Sequence, residues 1–382
     1  MLKVAVGHSI DPDALAAIDE VIEQCSQSLG GEVPQAGILF TAIDFDHSLI
    51  LERIQNVFSG MELIGGTTDG EMSSVLNYQQ DSVTLMVFCS DQVKIHAGLG
   101  RGVSTDPIAA TQQAVEDAQR KSKLETKLCL TVPESLTTSG VGILDGLKQA
   151  LGENTLIIGG TTADQQRMKH TYQFFNGEVL SDSVPILLFA GDLLFSSGMA
   201  GGWKTIGKVG VATKVDRNIL YEIDGKPALE FYLYYLGAPP SDEYPLAVYE
   251  PSGQRYFMRA PNGYDEHTGS IRFFTDIPAL VNVQMLEASR EELVLASETS
   301  FRKALESYPG KEPMAAVLIS CAARRHLLGT RTQGEYQTIK AGLAKNLPCC
   351  GFYSYGELAP LEPQSETYFH NETFVTLLLG VK

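Results

Sequence analysis

The chain has 382 residues, of which 44% are hydrophobic and 20% charged, a composition typical of ordinary folded proteins that excludes a disordered, fibrous or disulfide-stapled chain. Its 46 acidic residues against 29 basic ones give a net charge of -17, which repels phosphate backbones and anionic lipids, so nucleic acid is not an expected partner. This length predicts at least two domains, and no apolar stretch approaches the roughly 20 residues that span a bilayer.

The amino-terminal segment has one lysine and then the acidic residues Asp11 and Asp13, without the apolar region of a secretory signal. We therefore expect a cytoplasmic protein without a membrane span. Its six cysteines form no CxxC pair and are predicted to be buried free thiols. The adjacent pair Cys349-Cys350 leaves open a redox or soft-metal sensing role.

The first part of the chain predicts alternating strands and helices. Asp11 suits a helix N-cap and Pro12 a first helical turn. The predicted elements are strand 2–7, helix 13–29, strand 36–41, a second helix, a strand that ends in MELIGGTTD (61–69), and strand 82–88.

The same order recurs about 95 residues later, where Asp106 and Pro107 repeat the helix start. The elements are strand 93–99, helix 108–121, strand 127–132, a second helix, TLIIGGTTAD (155–164) and strand 184–189. A strand, helix and strand in this order form a crossover with parallel strands. The sequence therefore predicts two α/β units with Gly65-Gly66 and Gly159-Gly160 at equivalent turns.

A degenerate third copy lies near the carboxyl end, after a glycine-rich segment, a helix over 227–236 and a proline-rich stretch over 237–262. Its elements are strand 315–320, a helix over 333–345, CCGFY at 349–353 and strand 371–379. The predicted fold is mixed α/β, with duplicated strand-helix-strand units in helix-covered sheets, either two stacked sheets or one continuous sheet. The predicted domains are 1–204, with repeats 1–92 and 93–195, and a second α/β domain over 205–382.

Four segments resemble FIST proteins with their paired N and C domains: GGTTDGE at 65–71, SCAAR at 320–324, GFYSYGE at 351–357 and HNET at 370–373. The resemblance implies a sensory module in signal transduction that binds a small ligand such as an amino acid. It also implies output through a partner such as a histidine kinase or cyclase. Some members are haem-containing nitric oxide sensors, so that function is an alternative, as is an adaptor without ligand.

The glycine turns have the chemistry of a binding site, because glycines let a ligand approach the main chain at the carboxyl ends of strands. No lysine follows them, and Asp69 and Glu71 would repel phosphate, so a zwitterion fits better than a nucleotide. We expect Arg324 to clamp a carboxylate, although a surface arginine and purely structural turns remain alternatives. The candidate ligand-binding residues are Gly66, Thr67, Thr68, Asp69, Glu71, Thr161, Thr162, Arg324, Tyr353, Tyr355 and Glu357.

No catalytic motif is recognisable, because none of the seven histidines forms a known pattern with a serine or cysteine. Cys321, close to His326, is the one suggestive nucleophile, and a buried cysteine is the simpler interpretation. We predict a protein that is not an enzyme and has no metal site. Haem needs only one ligand, for which His8 and His96 are candidates, but the expectation is a protein without cofactor.

Overall fold

The computed structural model describes residues 1–342, 347–363 and 365–382. The fold is mixed α/β, as predicted. In these ranges the strands form three six-stranded sheets and one eight-stranded sheet, rather than the two stacked sheets or the single sheet expected. The order of elements around the six-stranded sheets occurs three times along the chain.

The first unit begins with a strand and a helix and ends with a long strand that follows a short hairpin. Its elements are β1 (Leu2–Ser9), α1 (Ala14–Leu29), β2 (Ala36–Thr41), α2 (His47–Val57), β3 (Glu62–Thr67), the hairpin β4 (Glu71–Ser73) and β5 (Asn77–Gln79), and β6 (Val83–Ser90).

The second unit has the same order. Its elements are β7 (Val93–Arg101), α3 (Pro107–Gln119), β8 (Thr126–Thr131), α4 (Gly140–Leu151), β9 (Leu156–Gly160), the hairpin β10 (Gln173–Phe175) and β11 (Glu178–Leu180), and β12 (Ser183–Gly191).

A third unit begins with a strand that the sequence analysis did not assign to it, β13 (Leu193–Ala200). The eight-stranded sheet is inserted after that strand, and the unit then resumes with a helix. The inserted elements are β14 (Lys204–Asp216), β15 (Ile219–Ile223), β16 (Lys226–Pro227), α5 (Ala228–Leu236), β17 (Leu246–Tyr249), β18 (Tyr256–Arg259), β19 (Pro261–Asp265), β20 (Ser270–Phe273) and β21 (Asn282–Glu287). The third unit continues with α6 (Arg290–Glu306), β22 (Ala315–Cys321), α7 (Ala322–Leu328), a 3-10 turn (Gly329–Arg331), α8 (Gln333–Gly342), β23 (Cys349–Ser354), the hairpin β24 (Glu357–Pro360) and β25 (Thr367–His370), and β26 (Phe374–Val381).

The three units exchange their hairpins in a closed cycle. In each sheet the first strand pairs with the last, the last with the second, and the second runs parallel to the third. The remaining two strands are always the hairpin of another unit. The sheet orders are β1-β6-β2-β3-β10-β11, β7-β12-β8-β9-β24-β25 and β13-β26-β22-β23-β4-β5. No unit therefore completes its own sheet.

The hydrophobic core follows this arrangement. One buried cluster draws side chains from all three sheets, and within it Phe40 stacks on Phe352 with ring centroids 4.2 Å apart. Separate clusters lie between each sheet and its own helices, as where Ile18 and Val21 of α1 pack against Leu39 of β2. The sheets thus meet through their inner faces, with helices outside.

Several predicted boundaries differ from the structure. Asp13, not Asp11, caps α1, because its side chain accepts a hydrogen bond from the Ala16 N–H, whereas Asp106 and Pro107 begin α3 as predicted. The closing strand starts at Phe374 rather than Asn371. The predicted end of the helix over 333–345 lies outside the described residues.

The inserted sheet begins at Lys204, where the sequence analysis placed the division between domains. In the described parts of the chain, no helix combines the length and the apolarity needed to cross a bilayer.

The glycine that precedes the end of the third strand is required by close packing in every unit. A Cβ atom at this position would lie within 2.3 Å of a main-chain oxygen of the neighbouring parallel strand, too close to be accommodated. The clashing pairs are Gly65 with Leu39 O at 1.9 Å, Gly159 with Thr131 O at 2.3 Å, and Gly351 with Leu318 O at 2.3 Å.

We predict that Gly65→Ala lowers the free energy of unfolding by about 1 to 3 kcal/mol or more, because a fixed strand cannot move to relieve the clash. The measurement is the midpoint of thermal unfolding. Gly342→Ala is the matched control, since a Cβ there meets no atom of the described residues within 4 Å and alanine favours a helix. Equal midpoints for the two variants would contradict the close packing.

Candidate functional site

The ends of the three third strands meet in a ring of backbone hydrogen bonds. In each unit the residue after the glycine turn donates its N–H to the carbonyl just before the hairpin that joins its sheet. The three bonds run from Thr67 to Tyr172, from Thr161 to Gly356 and from Tyr353 to Gly70, each 2.9 Å long. We call residues 65–71, 159–164 and 351–357, which surround this ring, the turn cluster. The ring places them around an approximate threefold axis.

A buried polar triad accompanies each turn. A hydroxyl of the turn and a hydroxyl beside the last strand both bond to the first residue of the hairpin. In the first unit Thr68 and Ser82 donate to Glu71. In the third unit Ser354 donates to Glu357 at 2.8 Å and Thr373 donates to it at 2.9 Å.

The second unit has the same triad with an amide in place of the acid. Gln173 donates to the Thr162 hydroxyl at 3.1 Å and accepts from the Ser183 hydroxyl at 3.0 Å. It also donates to Glu134 at 2.9 Å. The position therefore requires a polar side chain of this length but not a charge.

Burial changes the proton affinity of the two acids. The pKa of Glu71 is raised from 4.5 to about 8, because loss of solvent outweighs the two hydroxyl donors. The pKa of Glu357 is raised to about 7 for the same reason. At neutral pH Glu71 is therefore mostly protonated, and Glu357 is partly protonated.

The outer side of the turn cluster carries an ion pair. Arg325 of α7 bonds to both carboxylate oxygens of Asp69, through Nε at 2.8 Å and Nη2 at 3.0 Å. The Asp69 side chain is fully buried, while 16% of the Arg325 side chain is exposed. Burial raises the pKa of Asp69 to about 6, against the opposing effect of Arg325. The pair is thus ionised at neutral pH and reachable from solvent.

A loop of the second unit lies close to this pair, since the charge of Asp164 acts on Asp69. Three residues separate the third strand from the hairpin in the first unit and two do so in the third, but twelve (161–172) separate them in the second. Gln165, Gln166 and Met168 adopt left-handed backbone conformations, with φ of 57°, 61° and 53°. Three such residues in four positions are a strained arrangement that the surroundings must hold.

Asp164 and Tyr355 hold the loop. Asp164 accepts hydrogen bonds from the N–H groups of Met168, Lys169 and His170 at 2.9, 2.7 and 3.1 Å. The Tyr355 hydroxyl donates to Asp164 at 2.5 Å and accepts from the Gln166 N–H at 2.7 Å. The first and third units also anchor the loop, since Arg167 pairs with Asp44 and Gln166 donates to the Ala322 carbonyl at 3.4 Å.

The structure places Arg324 differently from the expected ligand clamp. Its side chain is fully buried and pairs with Glu335 at 2.6 Å, while its other donors reach the carbonyls of Gly201 and Leu293 at 2.5 and 2.7 Å. A guanidinium bonded to protein on all sides cannot hold a ligand carboxylate without breaking a buried pair. Arg325, the next residue in the chain, is the arginine that reaches the turns.

The other candidate residues all belong to the turn cluster, and most of them are buried. Tyr353 is buried, and its hydroxyl donates a hydrogen bond to Glu335 at 2.6 Å. Among the candidates only Tyr355 is partly exposed. The buried candidates are Gly66, Thr67, Thr68, Asp69, Glu71, Thr161, Thr162, Arg324, Tyr353 and Glu357. The ring of backbone bonds joins the turns that carry them to one another.

The sequence analysis missed Asp164, Arg325 and Glu335. Glu335 lies in α8, and no pattern in the sequence singled out this acidic residue. Arg325 is the neighbour of Arg324, which was assigned as the clamp. Two surface cavities of about 430 and 470 Å³ lie away from the turn cluster, the first lined by residues 119–126 and 151–155 and the second by parts of α6 and α8.

The residues considered for metal, haem or nucleophilic chemistry are buried or hydrogen-bonded. Both ring nitrogens of His8 bond to hydroxyls, Nδ1 to Ser73 at 2.7 Å and Nε2 to Ser82 at 2.8 Å. His96 Nδ1 lies 2.9 Å from Glu62. Burial raises the pKa of the Cys321 thiol well above its usual value. The described residues contain no cluster of three or more His, Cys, Asp or Glu side chains suited to a metal ion.

The fold and its turn cluster define a protein of three hairpin-exchanging α/β units, with a second sheet inserted in the third. The chain belongs to the FIST family: the FIST N domain matches residues 35–226 and the FIST C domain matches residues 228–360. FIST domains are associated with sensory signal transduction and small-ligand binding, and are regarded as sensory rather than catalytic. The two matches divide the chain about twenty residues after the division predicted at 204.

Two relatives are uncharacterized proteins. One from Methanocaldococcus jannaschii is 28% identical over 206 residues, covering 49% of this chain and 39% of its own length. One from Mycobacterium bovis is 21% identical over 378 residues, covering 94% of this chain and 95% of its own. The chain thus spans well under half of the archaeal relative.

Two solved structures are similar over the whole chain at low scores. Cyanuric acid hydrolase from A. caulinodans has a TM-score of 0.38 and 9% identity, covering 100% of this chain and 99% of that one. A chorismatase has a TM-score of 0.39 and 10% identity, covering 100% and 98%.

We predict that Glu71→Gln flattens the pH dependence of stability. The folded protein keeps the Glu71 proton up to about pH 8, whereas the unfolded chain loses it near 4.5, so stability falls as pH rises through this window. The slope is at most about 1.4 kcal/mol per pH unit for this group. Gln173 shows that an amide fits the triad.

Unfolding midpoints at pH 5 and pH 8 test this. Glu71→Gln should gain stability over the natural protein at pH 8 and not at pH 5. Glu153→Gln, which removes the same charge from an exposed site, is the control. A loss of stability at pH 8 in Glu71→Gln would show that Glu71 is ionised and held by its donors.

Proposed function

We propose that this protein is a cytoplasmic, non-catalytic sensor that binds a small zwitterion, such as an amino acid, at the outer side of the turn cluster, and signals through a partner protein. The observation that carries the proposal is the Asp69–Arg325 pair, which lies where three units meet and near a strained loop. Perturbed, partly accessible ionic groups of this kind are typical of binding sites.

The chemistry of the pair suits a zwitterion. Arg325 presents a planar fork for a carboxylate, and Asp69 presents an acceptor for an ammonium group. A ligand with both charges would exchange one ion pair for two, leaving neither protein group unpaired. A phosphate would meet Asp69 and Asp164 on the same side and be repelled.

The loop over residues 164–171 is the element that would open. Its left-handed residues are strained, and its Arg167–Asp44 pair is exposed, so that contact adds little to its stability. Opening would make room for a ligand beside Arg325 and Asp69 and change the exposed surface. A partner such as a histidine kinase or cyclase would then sense the changed surface.

We predict that one or more amino acids in a panel of amino and keto acids raise the unfolding midpoint, and that Arg325→Ala abolishes the effect. Loss of the paired hydrogen bonds should weaken binding by about 1.5 to 3 kcal/mol. Arg325→Lys should recover only part of it, because lysine lacks the planar fork. Calorimetry on each variant gives the affinity.

Two further variants make this test specific. Asp69→Asn should weaken the binding of an amino acid more than the binding of the corresponding keto acid, because only the amino acid has an ammonium group. Arg331→Ala removes an exposed arginine that pairs with Glu291 and should bind as the natural protein does. Unchanged affinity for a bound ligand in Arg325→Ala would end this assignment of the site.

We also propose that the protein works without haem. His8 would have to give up one of its two buried hydrogen bonds to become a ligand, and burial lowers its pKa to about 3, which favours the neutral ring already bonded to Ser73 and Ser82. Protein purified from haem-supplemented cells should show no Soret band in proportion to protein. A stoichiometric band that disappears in His8→Ala or His96→Ala would instead establish a haem protein.

A further inference from the structure

The guanidinium of Arg325 can hold a carboxylate on either of two edges, and Asp69 occupies only one of them. Nε and Nη2 form the first edge, and they donate to the two Asp69 oxygens at 2.8 and 3.0 Å. Nη1 and the second hydrogen of Nη2 form the other edge, because the five N–H groups of arginine lie in one planar fork. A second carboxylate could therefore bind to Arg325 without breaking the pair with Asp69.

The acceptor on the second edge is a weak one. Arg325 Nη1 donates to the side-chain oxygen of Gln80 at 3.4 Å, which is long for an N–H donor. A neutral amide is also a weaker partner for a guanidinium than an ionised carboxylate is. Gln80 is exposed, so water can replace its hydrogen bond when it leaves. Where Arg325 faces solvent, its acceptor is thus easily replaced.

The residues around Gln80 are held in place by other contacts. Tyr78, two residues earlier, packs edge-on against Tyr353, with ring centroids 5.4 Å apart. Asp81, the next residue, accepts a hydrogen bond from the Gln165 side chain at 2.5 Å. A ligand that arrives at the guanidinium therefore has to displace one exposed side chain and not the turn that carries it.

The charges next to this edge are mainly negative. Asp69 is bonded to Arg325, and Asp81 follows Gln80 directly in the chain. Asp164 adjoins the loop glutamine that bonds to Asp81. Three carboxylates thus lie around one guanidinium. A ligand with a single carboxylate would be attracted by Arg325, whereas a second carboxylate on the ligand would meet these acids and be repelled.

We propose that the ligand carboxylate binds the second edge of Arg325 in the place of Gln80, and that the ligand carries no second carboxylate. This assignment rests on the proposed function. It adds the side chain that the ligand replaces and the class of amino acid that fits, one with a neutral or basic side chain. Gln80 then sets the affinity of the site without belonging to the ion pair.

A carboxylate placed at position 80 tests the second edge without any ligand. Gln80→Glu should stabilise the full-length protein more when Arg325 is present than in an Arg325→Ala background, which a double-mutant cycle of unfolding midpoints measures. Arg325→Gln replaces Arg325→Ala in the cycle if the smaller side chain does not fold. Gln254→Glu adds the same charge at an exposed site of the inserted sheet and should show no coupling. Absence of coupling at position 80 overturns the proposal.

Calorimetry with alanine, glutamine and glutamate then tests the ligand class. Glutamine and glutamate are nearly identical in shape, and glutamate should bind at least about fivefold more weakly because of its second carboxylate. Gln80→Ala should bind alanine and glutamine about twofold to tenfold more tightly, since no hydrogen bond has to be displaced. Gln80→Glu should bind them at least about tenfold more weakly, because its own carboxylate occupies the edge.

The outcomes separate this proposal from the proposed function. Binding that Arg325→Ala abolishes but Gln80→Glu leaves unchanged overturns only the place assigned to the carboxylate. Tighter binding of glutamate than of glutamine overturns the class assigned to the ligand. If none of the amino acids binds the natural protein, the proposed function itself fails, and the present proposal fails with it.

Discussion

The ring of three backbone hydrogen bonds between the turns is the interaction on which the rest of the structure depends. It exists because each unit gives its hairpin to a sheet that begins elsewhere in the chain, so Tyr172, Gly356 and Gly70 arrive beside turns that are distant in sequence. A unit alone would leave the edge of its third strand unpaired and its inner face exposed. The three units must therefore fold together.

Closing the ring has an electrostatic consequence. The first residue of each hairpin is carried into the interior, where Glu71, Gln173 and Glu357 are held by pairs of hydroxyls. Two of these residues are acids whose protons are retained at unusually high pH. The amide in the second unit, with Glu134 next to it, shows that geometry rather than charge is common to the three positions.

Local features were largely predictable from the sequence. Strand β2 matches its predicted bounds, the Asp106-Pro107 helix start is correct, and both Gly-Gly pairs lie in the last three residues of the third strand of their unit, because these signals act over a few residues. The hairpin exchange was not predictable, since strands of three residues such as Gln173–Phe175 carry no periodic pattern. Strand β13 was not assigned to the third unit because the inserted sheet separates it from α6.

The choice between Arg324 and Arg325 could not be made from sequence either, because neighbouring helical residues point in directions set by the packing of α7. Their different positions suggest how the site is linked to the rest of the protein. Arg324 joins α7 to Glu335 of α8, to Gly201 before the inserted sheet and to Leu293 of α6, while Arg325 joins the same helix to Asp69 at the turn cluster. Helix α7 has only seven residues and its two arginines are adjacent, so we expect it to move as one rigid piece. A ligand that displaced Arg325 from Asp69 would therefore either break that pair alone or tilt α7 and strain the buried Arg324 contacts, and only the second outcome would reach the inserted sheet.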